Sequence, residues 1–310
     1  MNDERRYEAL LNEYKGSLFE YLVASSLAKN ANLEKQFLES LSESTYSILA
    51  QQEGFIRHYK PDFITSLQNF AEHTALQMND YLSGNIKQIQ VIGKSMNAEK
   101  KNYSEVDLIV IADQEYHFSL KLSKANTYVN TKSMGIKSFL EKYFQSPKTQ
   151  LEFNKYFDQE FEVFAREIHQ FYDLDYDAKF IEWQKENLPV LPGQLNEGKE
   201  LLYAFYGRIN AKIYSHLSTL MNTDFDRFKN NLQPLCGFSD ENLIQVICFH
   251  KEDQAVVHMH TNSQLNSLEI KQNTNNVELL TDEYILQLRL KPMNIFINPA
   301  YKINCAVKFI

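Results

Sequence analysis

Two residues with complementary chemistry stand fourteen positions apart in this 310-residue chain: Asp107, which opens the apolar run DLIVIA, and Lys121, which ends the alternating run YHFSLK. Alternation places His117, Ser119 and Lys121 on one face of a strand and Phe118, Leu120 and Leu122 on the other. A lysine at mid-sheet is costly without a partner, and Asp107 on the neighbouring strand is the expected one. Hydrolysing a phosphodiester needs a positioned water, a divalent cation on a non-bridging oxygen and charge relief for the leaving oxygen. A hard cation such as Mg²⁺ takes carboxylate and carbonyl oxygens. Asp107, Glu20, the Leu120 carbonyl and Lys121 supply that set, with Asp107, Glu20 and Leu120 as expected metal ligands.

The elements that must carry these residues follow from periodicity. Leu10, Leu11, Tyr14, Leu18, Leu22 and Leu27 predict a helix over 3–30, with Glu20 on or near its apolar side. Helices are expected over 32–53 and 62–82, the second capped by Asp62. Strands are expected at 86–93, 105–112 and 116–123; the nearly continuous apolar run LIVIA calls for helices covering the sheet. A polar stretch including Lys94 links the first two strands and could meet phosphate or simply be solvated. After Lys121 the chain is polar again, with Lys124, Asn130, Lys132 and Lys137, and a helix is expected from about Ser133–Gly135. Amides at such a helix start, flanked by lysines, suit a phosphate.

The aromatic stripe Phe153, Tyr156, Phe157, Phe161, Phe164, Ile168, Phe171 predicts a helix core. Two Pro and two Gly within 187–198 mark a boundary, which divides the chain into a helical and catalytic core, 1–187, and a recognition part, 188–310. A helix over 197–221 and a run of strands from 242 onward, antiparallel in character, fill the second part. In it Arg289 and Lys291 alternate on one strand, and Lys302 and Lys308 follow; an Arg fork is the commonest reader of guanine, while a solvated sheet face is the plainer alternative. His258 and His260 share a strand face without a visible third ligand.

Composition bounds the choice. The 21 Phe and 18 Tyr, with 9 Gly and 7 Pro, suit long helices and a large core. A net charge of -8 disfavours non-specific capture of a polyanion, although a local basic cleft remains compatible with it. The three cysteines lack ligand spacing and read as reduced, as in a cytoplasmic protein. No apolar run approaches the ~18 residues of a membrane span, no signal peptide is visible and no Gly-rich phosphate loop occurs.

The acid–hairpin–lysine motif with an upstream helix Glu resembles the PD-(D/E)XK nuclease superfamily, and within it type II restriction endonucleases. The resemblance covers Glu20 to about Phe144, and the stretches SLKLSKANTYVNTKSMGIKSFL and LQLRLKPMNIFINPAYKIN resemble segments of such enzymes. It implies a mixed α/β fold whose central mixed sheet is flanked by helices, with an antiparallel C-terminal β region. It also implies a Mg²⁺-dependent, sequence-specific endonuclease acting on double-stranded DNA. Asp107 and Glu20 would hold the metal, Lys121 would orient the water, and Lys124, Asn130, Lys132, Lys137, Arg289, Lys291 and Lys302 would contact DNA. A homodimer and a partner DNA methyltransferase belong to the same implication. One position departs: Ser119 stands where Asp or Glu is expected. Either Glu20 or Glu105 takes its place, or one metal is bound, or activity is weak or lost. A repair or defence nuclease with structure-dependent cutting and a non-catalytic DNA-binding or interaction module are the competing readings.

Overall fold

The computed structural model describes residues 2–92, 105–124, 127–238, 242–252, 254–261 and 267–310. The polar stretch around Lys94 lies outside them. In chain order the elements are α1 (Asn2–Asn30), α2 (Glu34–Glu39), α3 (Glu43–Tyr59), α4 (Phe63–Tyr81), β1 (Gln88–Val91), β2 (Leu108–Ile111), β3 (Glu115–Lys124) and β4 (Val129–Gly135). There follow α5 (Ile136–Tyr143), α6 (Pro147–Phe171), α7 (Ile181–Lys185), α8 (Lys199–Thr223) and α9 (Phe225–Leu232). The chain ends with β5 (Leu243–Lys251), β6 (Gln254–His260), β7 (Glu269–Gln272), β8 (Asn276–Leu280), β9 (Tyr284–Pro292) and β10 (Tyr301–Phe309).

The fold is mixed α/β with one mixed and one antiparallel five-stranded sheet, as expected. Its division into units falls elsewhere than at 187/188. The first unit joins Met1–Thr127 to Phe238–Ser263, and the second joins Tyr128–Gly237 to Gln264–Ile310. The run of strands after 242 is therefore shared: β5 and β6 complete the first sheet, and β7–β10 belong to the second.

In the first unit the sheet order is β1-β2-β3-β5-β6. β1, β2 and β3 are successively antiparallel, β5 runs parallel to β3, and β6 returns antiparallel. Parallel pairing demands a crossover, and here the crossover is residues 128–237, much of the second unit. One face of the sheet is a core: Leu108, Val110, Phe118, Leu120, Val246 and Cys248 pack with Val23 and Leu27 of α1 and with Leu67 and Phe70 of α4. The expected helix over 32–53 is broken at 40–42, where Ser42 accepts from the Thr45 amide and so starts α3. Asp62 precedes α4, but its side chain makes no capping bond.

In the second unit the order is β4-β10-β9-β8-β7, all antiparallel. The polar stretch holding Asn130 and Lys132 is strand β4, not loop and helix start. Val129, Thr131 and the small Ser133 let it pair with β10, and the helix begins only at Ile136. The aromatic stripe is core. Phe157, Phe161 and Phe205 stand at 5.4–6.0 Å from the Tyr301 ring, mostly edge-on. Ser146 and Thr149 close a capping box at the start of α6, with Pro147 in its first turn. Phe157 is fully buried at the centre of this cluster. Phe157→Ala is expected to cost about 3–5 kcal/mol, read from urea denaturation.

Candidate functional site

β2 begins at Leu108, opposite Phe118, whereas β3 continues to Lys124. Among the described residues no strand pairs with β3 beyond Phe118 on that side. Asp107 fills the gap: its amide donates to the Phe118 carbonyl (2.8 Å), and its carboxylate takes over the role of a backbone acceptor. Oδ2 accepts from the Leu120 amide (2.7 Å), the Ser119 hydroxyl (3.2 Å) and the Lys121 ammonium (3.2 Å). Asp107 and Ser119 are buried, and Lys121 is the partly open member, with a third of its side chain exposed. Alternation turns Asp107, Ser119 and Lys121 away from the α1/α4 core. The sequence expectation of an Asp107–Lys121 pair is met, and Ser119 stands beside it.

Glu20 does not join this group among the described residues. Its helix packs on the opposite face, against Leu108, Val110 and Leu120, and Glu20 itself is half-buried there. Glu105, also half-buried, is not one of the three donors' acceptors either. No group of three His, Cys, Asp or Glu side chains with metal-ligand geometry occurs among the described residues.

The parallel pairing adds residues that periodicity alone leaves unconnected. Ser119 lies opposite Gln245 and Lys121 opposite Ile247; on the next strand Gln245 lies opposite His260 and Ile247 opposite His258. Gln245 is buried, and the two imidazoles are parallel with centroids 6.0 Å apart. Burial, then the neighbouring His258, lowers His260 to about 4. The Asp107 face thus carries, among others, a carboxylate, a hydroxyl, an ammonium, an amide and the imidazoles of His117, His258 and His260, and it is suited to holding an oxyanion or positioning a water.

The expected DNA contacts divide between the units. Lys124 is exposed at the end of β3 in the first. Asn130 and Lys132 lie on β4 in the second, the former exposed. Lys137 is held by Asp158 at 2.7 and 2.8 Å, which weakens it as a phosphate contact. Arg289, Lys291 and Lys302 do share a sheet face. Lys302 is opposite Lys291 and Asn304 is opposite Arg289, and burial with the charges of Arg289 and Lys302 lowers the Lys291 pKa.

Two outcomes follow. Asp107→Ala removes the acceptor of three donors and is expected to cost about 1–3 kcal/mol, with Asp107→Asn milder because it retains an oxygen; urea midpoints compare them. His260 is held neutral, so its contribution is present above the ordinary value of 6.5 and is lost as pH falls toward about 4. Thermal melts between pH 7 and pH 4 should therefore fall less steeply for His260→Gln than for the wild type. A scan against protein-family models, a search of curated proteins and a search of solved structures each gave no match to this chain.

Proposed function

We propose that the chain is a Mg²⁺-dependent endodeoxyribonuclease resembling type II restriction enzymes. The observation that carries this reading is the convergence of Asp107, Ser119 and Lys121 just before β2 begins, beside the part of β3 that runs past it. The mixed sheet, with acid and lysine on adjacent antiparallel strands at its centre, agrees with the resemblance.

The donor set reaches the lower limit for Mg²⁺, which can bind through one carboxylate when substrate phosphate completes its shell. Asp107 would hold it, with the Ser119 hydroxyl as a neutral neighbour. When bound, the cation supplies charge relief on the phosphate and lowers the pKa of a bound water. Lys121, the partly exposed member, hydrogen-bonds the attacking water or the phosphate oxygen once released from Asp107. Glu20 has no part in this version of the site. Arg289, Lys291 and Lys302 offer a cationic face to duplex DNA, with Lys124, Asn130 and Lys132 as further candidates. A two-fold dimer, a companion methyltransferase and a cytoplasmic setting complete the restriction-type reading.

A second reading is favoured by one specific observation. Oδ2 of Asp107 is already engaged by three donors, one of them the Leu120 amide, and the usual second carboxylate is Ser119. That arrangement serves the sheet without any metal, and it fits a non-catalytic DNA-binding or interaction module with a degenerate nuclease site.

Incubating plasmid DNA with the protein and Mg²⁺ separates the two. On the nuclease reading the wild type cuts, and Lys121→Ala, folded by circular dichroism, loses at least about a hundredfold in rate. Discrete fragments indicate sequence-specific cutting, and a smear indicates the repair or defence alternative. A wild type that leaves the plasmid intact, or a variant that cuts equally well, overturns the catalytic assignment.

A further inference from the structure

A second constellation of charge lies on the other side of the same sheet, at the carboxyl ends of the parallel strands β3 and β5. A cavity of about 550 Å³ opens there, lined among others by Lys15, Lys60, Phe63, Lys124, His250 and Glu252. Lys15 comes from α1, Lys60 from the end of α3, Phe63 from the start of α4, Lys124 from the last turn of the β3 pleat and His250 from β5. Three separate elements bring lysines to one hollow and a fourth adds an imidazole, although the chain as a whole carries a net charge of -8. All of these residues belong to the first unit.

Among the described residues none of the three lysines is held in an ion pair. The Lys15 ammonium lies 4.3 Å over the Phe63 ring, and His250 is fixed by Phe70, stacked at 5.1 Å. The carboxylate in the lining is Glu252, which is exposed. Gathering like charges in a partly desolvated hollow is unfavourable. Its cost is visible at Lys15, which burial, then Lys60 and Lys124, lower to about 8, and at His250, lowered by burial, Lys15 and Lys124. Such an arrangement is relieved by a multiply charged anion that meets several ammonium groups at once. The volume is in the range of small-ligand pockets, roughly 300–1,000 Å³. The carboxyl ends of parallel strands are also where open α/β sheets place their ligands.

We propose that this cleft binds a small anion carrying two or more phosphate groups, held by Lys15, Lys60 and Lys124, with His250 as a further donor. The site is independent of the Asp107 constellation, whose side chains leave the sheet on the opposite face, and neither assignment depends on the other.

Inorganic tripolyphosphate is the probe, titrated calorimetrically into the full chain at pH 7, with a short duplex oligonucleotide titrated in parallel. Saturable binding of tripolyphosphate at one site per chain is expected. It should weaken at least about tenfold in Lys60→Gln and further in Lys15→Gln/Lys60→Gln. Lys15→Arg, which keeps the charge, should retain it, as should Asp107→Asn. Because an anion favours the protonated ammonium of Lys15, binding near pH 8 should take up protons, so that the measured heat varies with the ionisation enthalpy of the buffer. Affinity should fall as pH rises beyond about 8. The exposed Lys60 makes the single variant safe for folding, which unchanged thermal melts verify. Absence of tripolyphosphate binding to the wild type overturns the proposal. So do equal affinity in Lys60→Gln and the double variant, and binding of the duplex alone.

Discussion

The first sheet depends on what happens at the Leu120 amide. β3 outruns β2, so among the described residues no backbone carbonyl meets this buried N–H, and an unmet buried donor is costly. The carboxylate of Asp107 meets it at 2.7 Å and gathers Ser119 and Lys121 on the same oxygen. A single side chain therefore ends one strand, extends the next and fixes the orientation of a lysine. Whatever chemistry the site performs, its geometry is inherited from this structural duty. The acid of this group is thus shared with the scaffold.

The two faces of the sheet are unlike. The face toward α1 and α4 is closed by Leu108, Val110, Phe118 and Leu120, and at its far edge it opens into the lysine-lined cleft. The other face places polar groups in ranks across three strands, from Ser119 through Gln245 to His260. Polar residues this deeply buried in a sheet are tolerated where they bond one another or serve a ligand. Strand alternation is what keeps the two chemistries apart, since a shift of one residue in β3 would exchange them.

Local pattern made much of this legible. The helical period of 10–27, the apolar run LIVIA and the alternation of YHFSLK located α1, β2 and β3 and paired Asp107 with Lys121. Arg289 and Lys291 were readable as one face because period two is a local property. Contacts distant in sequence were not. Glu20 lies on a helix whose apolar residues recur near the helical period, but which sheet face that helix covers is decided by the tertiary packing of Val23 and Leu27. The segment around Asn130 and Lys132 reads as polar loop because a strand edged by solvent carries few apolar residues; its β10 partner lies about 170 positions away. Gln245, His258 and His260 became neighbours of Ser119 and Lys121 only through the β3–β5 pairing. Lys15, Lys60 and His250 are joined in the same way, by elements that meet only at the end of the sheet.

The β3–β5 pairing also bears on how the chain comes into being. Its partners, from His117↔Leu243 to Lys124↔His250, are separated by the whole of 128–237. During synthesis, α1 to β3 emerge first and must wait with the parallel edge of β3 unpaired until β5 leaves the ribosome. Non-local pairing of this kind is slow, and an open strand edge is adhesive in the interval. Lys124, exposed at the end of β3, is a charge of the kind that blunts such an open edge.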